Sequence, residues 1–439
     1  MKKSILILVV ILACSLVLAA CDGGSGGGAA GGGRSLVLLM EPMEEDEVEE
    51  FEEMFMGPLR AAFPDDQIDY DIVHDRQTMQ VQVAAGAGPD IIFLDGPTDA
   101  VEFFKSDRII SLDDYAEQYG WRPLFYEWAY DSGYFDGQLI SLPNSFEGMM
   151  LYINNTVFEE NGWDPPTNIR EWEAIMDEAA ELGISGMAFG NSDYQGAVDW
   201  LYSVFMNSYP GPDALRDALE GRTRVDEGLV LASMELMQEW WERGYWSHGM
   251  ALGMSMDDMT AMFADGRAAM MINGTWAVGG LLGTYSYADW SADLIPEMRD
   301  GVGRIMSLAT GGVFCINAAS EEPDFAAEVL NELFTNTEAH LAFVNATYFQ
   351  PFPIHAFDLS KMTDWDPAVV DLYQDLIDAI DAGDVGFCAW TFFPSDMRVY
   401  MNENTDNMFM GFLTPQEFMT QAQTFVDRAL ADGTAPVIP

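Results

Sequence analysis

The stretch from Phe135 to Trp172, FDGQLISLPNSFEGMMLYINNTVFEENGWDPPTNIREW, constrains the fold most, because strand, helix and breaker signals follow one another in a short run. Asp136-Gly137 is a hairpin-turn dipeptide, and Gln138 to Leu142 reads as a short strand that Pro143 ends by removing a donor and fixing φ. Met149 to Asn154 is an apolar run of strand length, after which Asn154-Asn155 opens a short helix that stops at Asn161-Gly162. Beyond Pro165-Pro166, Thr167 and Asn168 precede a helix from about Ile169 to Leu182, with Trp172, Ile175, Met176 and Ala179 on one face. The run reads as a passage out of one lobe and into a second. A chain of 439 residues, 49% hydrophobic, can bury cores for both.

Upstream, Arg34 to Met40 is a strand, and the acidic run Glu41 to Glu53 carries Val48, Phe51, Met54 and Phe55 at helical spacing, predicting an amphipathic helix to about Phe63. Gln67 to His74 alternates as a strand, Thr78 to Ala85 is a short helix, and a glycine-rich loop leads into Ile91 to Leu94 and Asp95. The order helix, loop, strand, without GKS or GxGxxG, argues against phosphate binding there. Strands alternating with helices predict α/β lobes with mainly parallel sheets, whose ligands sit beyond the carboxyl ends of strands, where Asp95 lies. Downstream, Phe189 to Met206 passes from a polar loop into a helix; Tyr194, Gln195, Asp199 and Trp200 are placed to face a cleft, Trp200 equally well a core. In Met262 to Ala277 a helix ends near Gly266, a strand follows, and Gly274 turns the chain so that Trp276 opens the next helix. Ala389 to Pro394 puts three aromatics in an expected loop.

The opening stretch resembles the family 1 extracellular solute-binding proteins of ABC importers, the group containing maltose-binding and other sugar-binding proteins. The matching positions are Asp136-Gly137-Gln138, Leu142-Pro143, Ile153-Asn154, Phe158, Gly162, Pro165-Pro166-Thr167 and Trp172-Glu173, with Ile153 where the family usually has tyrosine. Further matches follow in family order: Ala84-Ala85-Gly86 with Pro89-Asp90-Ile91 and Asp95; Phe263, Gly266, Arg267, Ala269-Met270, Asn273-Gly274 and Trp276; and Gly311-Gly312, Ile316 and Ser320 with Ala326-Ala327 and Leu330 to Phe334. The resemblance implies a two-lobed periplasmic-binding-protein-like α/β fold of type II, its sheets flanked by helices, with three crossovers, the last near Gln350-Pro351-Phe352-Pro353. Residues 35–143 with 309–350 would form lobe one, and 144–308 with 351–439 lobe two. It implies an ABC importer's binding subunit, with a permease as partner, and no enzyme. In sugar-binding relatives the tryptophan matching Trp276 stacks on ligand; the alternative is a buried structural residue.

The N-terminus reads as a targeting signal. Lys2-Lys3, the apolar run Ser4 to Val17 and Leu18-Ala19-Ala20-Cys21 resemble a bacterial lipobox, implying a signal peptide over 1–20 and acylation of Cys21. Two or more acyl chains, at ~0.8 kcal/mol per buried CH₂, would hold the protein on a membrane. Residues 21–34 are then a glycine-rich tether, with a reach of roughly 20 Å, and the protein is extracytoplasmic. Cys315 and Cys388 sit in apolar contexts that favour buried thiols over a disulfide.

With 72 acidic against 19 basic residues and a net charge of −53, the chain lacks the basic surface that nucleic acid requires. Its acidity suits a saline medium, since at molar salt a Debye length of about 3 Å screens self-repulsion. The protein is therefore expected to melt higher in molar than in low salt; equal melting temperatures would leave an acidic surface that only keeps it soluble.

No catalytic or metal constellation stands out: the four histidines are scattered, HExxH and GxSxG are absent, and no cofactor is expected. The composition suits reversible capture of a polyhydroxylated solute by a monomer, with aromatic faces covering sugar rings and carboxylates and amides meeting hydroxyls. The candidates are Trp276 and Trp390 for stacking, Asp95, Asn144 and Glu147 for hydrogen bonds, Tyr194 and Gln195 at the cleft, and Gly312, where ligand could approach backbone. A non-sugar solute such as a polyol phosphate, or a surface sensor or adhesion module without a transporter, are the alternatives.

Overall fold

The computed structural model describes residues 33–40, 47–72, 76–435 and 438. The expected signal peptide, Cys21 and nearly all of the expected tether lie outside the described residues. Two sheets organise residues 34–439. The first has the order Gln67–Ile72, Ser35–Met40, Ile91–Leu94, Val313–Ile316, Leu142–Pro143. The second runs Val385–Phe387, Met306–Ala309, Glu147–Asn154, Ala268–Gly274, Ser185–Ala188, with Trp290–Asp293 also paired to Glu147–Asn154. Each has its own core: Leu36 to Leu142 and Val313 to Ile354 supply the first, and Phe146 to Ala309 with Phe357 to Ile438 most of the second.

The two-lobed α/β architecture holds, but mainly parallel sheets do not: both sheets are mixed. Ser35–Met40 runs parallel to both neighbours, whereas Val313–Ile316 is antiparallel to Ile91–Leu94 and to Leu142–Pro143. The reason is connectivity. Parallel pairs come from strand-helix-strand units, whereas Val313–Ile316 arrives from the other lobe and is free of that constraint.

Local signals act as the sequence indicates. Asn168 caps Ile169–Leu182 by accepting from the Arg170 and Glu171 amides, Gly183 ends it at φ 78°, and Trp172, Ile175, Met176 and Ala179 are its buried face. Thr414 and Glu417 form a capping box on the last helix, Pro415–Asp432. Three expectations need correction. The single strand expected over Gln138 to Leu142 is two, Gln138–Leu139 paired with Tyr134–Phe135 and Leu142–Pro143 paired with Val313–Ile316, and Pro143 lies within the second because it sits at the sheet edge. The helix of the acidic run is not regular: Phe51–Met56 is a π-helical turn that brings Phe51, Phe55 and Met56 into the core, before Gly57–Ala62 resumes α geometry. The aromatic segment expected as a loop is the short helix Ala389–Phe392, every residue of it buried.

His340 links the first core to the third crossover. Its ring lies parallel to Phe352 at 4.1 Å, and its Nε2 accepts the Phe352 N–H at 3.1 Å. Burial lowers its pKa to about 3. The folded protein thus holds a neutral imidazole that the unfolded chain protonates below about pH 6.5, so this residue costs stability as pH falls from there towards 3, about 2 kcal/mol by pH 5. Urea unfolding at pH 7 and pH 5 should show that part of the acid loss absent in His340→Gln.

Candidate functional site

Between the sheets lies a cleft of about 800 Å³, a size suited to a small organic ligand. Its back is the crossover region, where adjacent segments are bonded side by side: Asn144 N–H to the Gly312 carbonyl at 2.9 Å, Ser145 N–H to Thr310 at 2.8 Å and Phe146 N–H to Pro351 at 3.1 Å. The three crossings are therefore laced into one hinge.

The strand ends deliver the polar groups. Asp95 follows Ile91–Leu94, Glu147 begins the central strand of the second sheet, and both line the cleft. The Ser145 hydroxyl donates to Glu147 Oε1 at 3.4 Å. Tyr194, Trp276 and Trp390 line it too. The other three candidates do not. Asn144 is buried within the hinge; Gly312 packs against Phe93, and Gly311 lines the cleft in its place; Gln195 is exposed, and Gly196 takes the lining position. For Gly312 and Gln195 the adjacent residue lines the cleft instead, an alternation that residue type cannot reveal in a loop.

Three indoles form a row. Trp276 stands 5.6 Å from Trp200 and 5.7 Å from Trp390, centroid to centroid, at 55° and 69°. Trp276 begins the helix Ala277–Leu282 directly after the strand Ala268–Gly274. A Cβ at Gly274 would lie 2.1 Å from the Trp276 ring, so glycine there lets the indole fold back over the strand end. Trp200, left open between core and cleft, lines the cleft while only 7% exposed.

The lobes also touch beside this row. A Cβ at Gly96 would meet the Trp390 carbonyl at 2.4 Å. The Thr98 hydroxyl donates to the Thr391 carbonyl at 2.9 Å, and Lys105 Nζ donates to the Asp432 carbonyl at 2.5 Å.

Arg398, Asp257 and Tyr285 line the cleft without having been candidates from the sequence, and Arg398 is the one among them that carries a positive charge. It projects from Ser395–Phe409 into the cleft, where its Nε donates to Asp199 Oδ2 at 2.7 Å. Asn402 donates to the same oxygen at 3.3 Å. Burial pushes the Asp199 carboxyl upward, opposed by Arg398 and Asn402. Burial also works against the guanidinium's charge, but Asp199, Asp99, Tyr194 and Asp95 hold it above its ordinary value. Among the described residues, Asp95, Glu147, Asp199 and Asp257 thus face one cation, and it is already engaged. Such a site offers hydroxyls many acceptors, and an added anion little. Among the described residues, no cluster of three His, Cys, Asp or Glu side chains could hold a metal ion.

Residues 62–369 match the family described as bacterial extracellular solute-binding protein. A probable sugar-binding periplasmic protein of Brucella suis biovar 1 (strain 1330) is 24% identical over 210 residues, 46% of this chain and 48% of that protein. The sn-glycerol-3-phosphate-binding periplasmic protein of Shigella dysenteriae serotype 1 (strain Sd197) is 24% identical over 245 residues, 52% of this chain and 53% of its own. The chain thus spans about half the length of these relatives. Among solved structures, a chitin oligosaccharide binding protein superposes with a TM-score of 0.78 at 19% identity, over 91% of this chain and 99% of that one. That likeness is one of fold.

Proposed function

This chain belongs to the bacterial extracellular solute-binding protein family, and from that premise we propose that it captures a sugar or oligosaccharide between its lobes and presents it to an ABC permease. The observation that carries the reading is the row of Trp200, Trp276 and Trp390 in a cleft ringed by carboxylates. Indole faces cover the apolar faces of pyranose rings, while Asp95, Glu147 and Asp257 accept from ring hydroxyls. Ligand held by both lobes favours the closed arrangement, the form a permease would recognise. Acylation at Cys21 would keep the protein at the membrane where that permease sits.

The resemblance to an sn-glycerol-3-phosphate-binding protein raises a second solute class. Among the described residues Arg398 is the one cation lining the cleft, and its pairing with Asp199 disfavours a phosphate ligand. Thermal shift in high salt against mono- and oligosaccharides, with glycerol 3-phosphate alongside, separates the two. A sugar that raises the melting temperature supports the proposal; stabilisation by the phosphate alone would sink it.

A further inference from the structure

The cleft continues past its tryptophans. Trp276 stands at the start of the helix Ala277–Leu282. Tyr285, which lines the same cleft, follows the helix end with its N–H donating to the Gly280 carbonyl at 3.1 Å. The helix between them rises by ~9 Å, longer than one pyranose ring. The wall it presents is low: Ala277 and Gly280 line the cleft, and a Cβ added at Gly279 or Gly280 would meet nothing within 4 Å. Beyond Tyr285 stands Tyr287, with ring centroids 6.3 Å apart, an interplanar angle of 70° and 62% of Tyr287 exposed.

Exposed tyrosines are ordinary on a protein surface. These two are tied down. The Tyr285 hydroxyl donates to the Asp257 carbonyl at 3.2 Å, and the Tyr287 hydroxyl to Asp265 Oδ1 at 2.9 Å. Each ring is thus held by its hydroxyl, which lowers the ordering cost of stacking a ligand on it. The charge around them is mainly negative: Asp257, Asp258 and Asp265 stand against Arg267, which is itself paired with Asp265 at 3.4 Å. Burial, then Asp257, Asp265 and Asp258, raise the Tyr285 hydroxyl, and the hydrogen bond to Asp265 comes first in raising that of Tyr287. Carboxylates so placed can accept from sugar hydroxyls and would repel uronate or sulfate groups.

Resting on the reading of the cleft as a carbohydrate site, we infer that Tyr285 and Tyr287 form an outer subsite for a further ring of a neutral oligosaccharide. The ligand then runs from the tryptophan row to the mouth of the cleft.

The test is calorimetric titration of the full chain with cello-, xylo-, malto- and chito-oligosaccharides from dimer to pentamer, and with an oligogalacturonate series as the anionic comparison. The double variant Tyr285→Ala, Tyr287→Ala should still fold cooperatively and keep its affinity for the dimer, and lose about tenfold for the pentamer. Tyr287→Phe, which keeps the ring, should retain more of the pentamer's affinity than Tyr287→Ala. Equal losses at every length would overturn the subsite, as would tighter binding of the galacturonates. Binding that Trp276→Ala abolishes and the tyrosine variant leaves alone at every length would overturn the subsite while sparing the carbohydrate reading. If no sugar binds the wild type, both fall.

Discussion

Alanine at position 276 should weaken binding of any sugar the cleft accepts by about 30-fold, the equivalent of ~2 kcal/mol at an aromatic anchor. The indole is the middle member of its row, within 6 Å of both Trp200 and Trp390 by ring centroid. Removing it therefore takes away its own face and the packing that fixes its neighbours. Its Cα begins a six-residue helix at the cleft wall, outside the strand pairing of the second sheet, so the unliganded protein should still fold cooperatively, at a melting temperature lowered by the packing lost against Trp200 and Trp390. Trp276→Phe should recover part of the affinity. Titration calorimetry on the three proteins checks this, and unchanged affinity in Trp276→Ala would return the residue to a structural role.

Arg398→Met should produce the largest loss of stability, about 3 to 5 kcal/mol at neutral pH, because it leaves Asp199 buried without its countercharge. Asp199 is 1% exposed, and its Oδ1 has no hydrogen-bond partner among the described residues. Burial already raises its carboxyl, and loss of the guanidinium would raise it further. A group whose folded pKa lies above its unfolded value favours the fold at low pH and loses that contribution as pH rises through the folded pKa. The deficit of Arg398→Met should therefore be full at neutral pH and narrow on acidification, with urea unfolding across that range as the measurement. Adding Asp199→Leu should restore much of the loss, since a buried pair replaced by apolar groups is often close to neutral. A deficit independent of pH would mean that lost packing, not the orphaned carboxylate, is responsible.

The parts of this molecule readable from its residues are those where one local signal decides the outcome. Asn168 and Gly183 bound a helix because a side-chain acceptor and a left-handed residue act at fixed positions. Trp276 opens the helix after Ala268–Gly274 as the sequence indicates, because the strand before it and the glycine that turns it are adjacent in sequence. Arg398 was not legible: its partner Asp199 is 199 residues away, and nothing near either residue announces the pair. Trp200 stayed ambiguous because Val198–Ser208 is buried on every side, so periodicity could not show which face meets the cleft. Ala389–Phe392 is a single turn, too short for helical periodicity, and was expected as a loop. The mixed sheets are not legible in the sequence because antiparallel entry depends on where a distant strand arrives.

The two buried thiols have a practical consequence. Cys315 sits in the first core and Cys388 in the second, both free, and burial raises both well above the ordinary thiol range. Neither should react with a maleimide while the protein stays folded. A cysteine introduced at Val81, 69% exposed on the first lobe, or at Phe412, 73% exposed on the second, would then be the reactive one within residues 34–439. A donor and acceptor dye at those two positions would follow the distance between the lobes as solute is added, with both native thiols left in place.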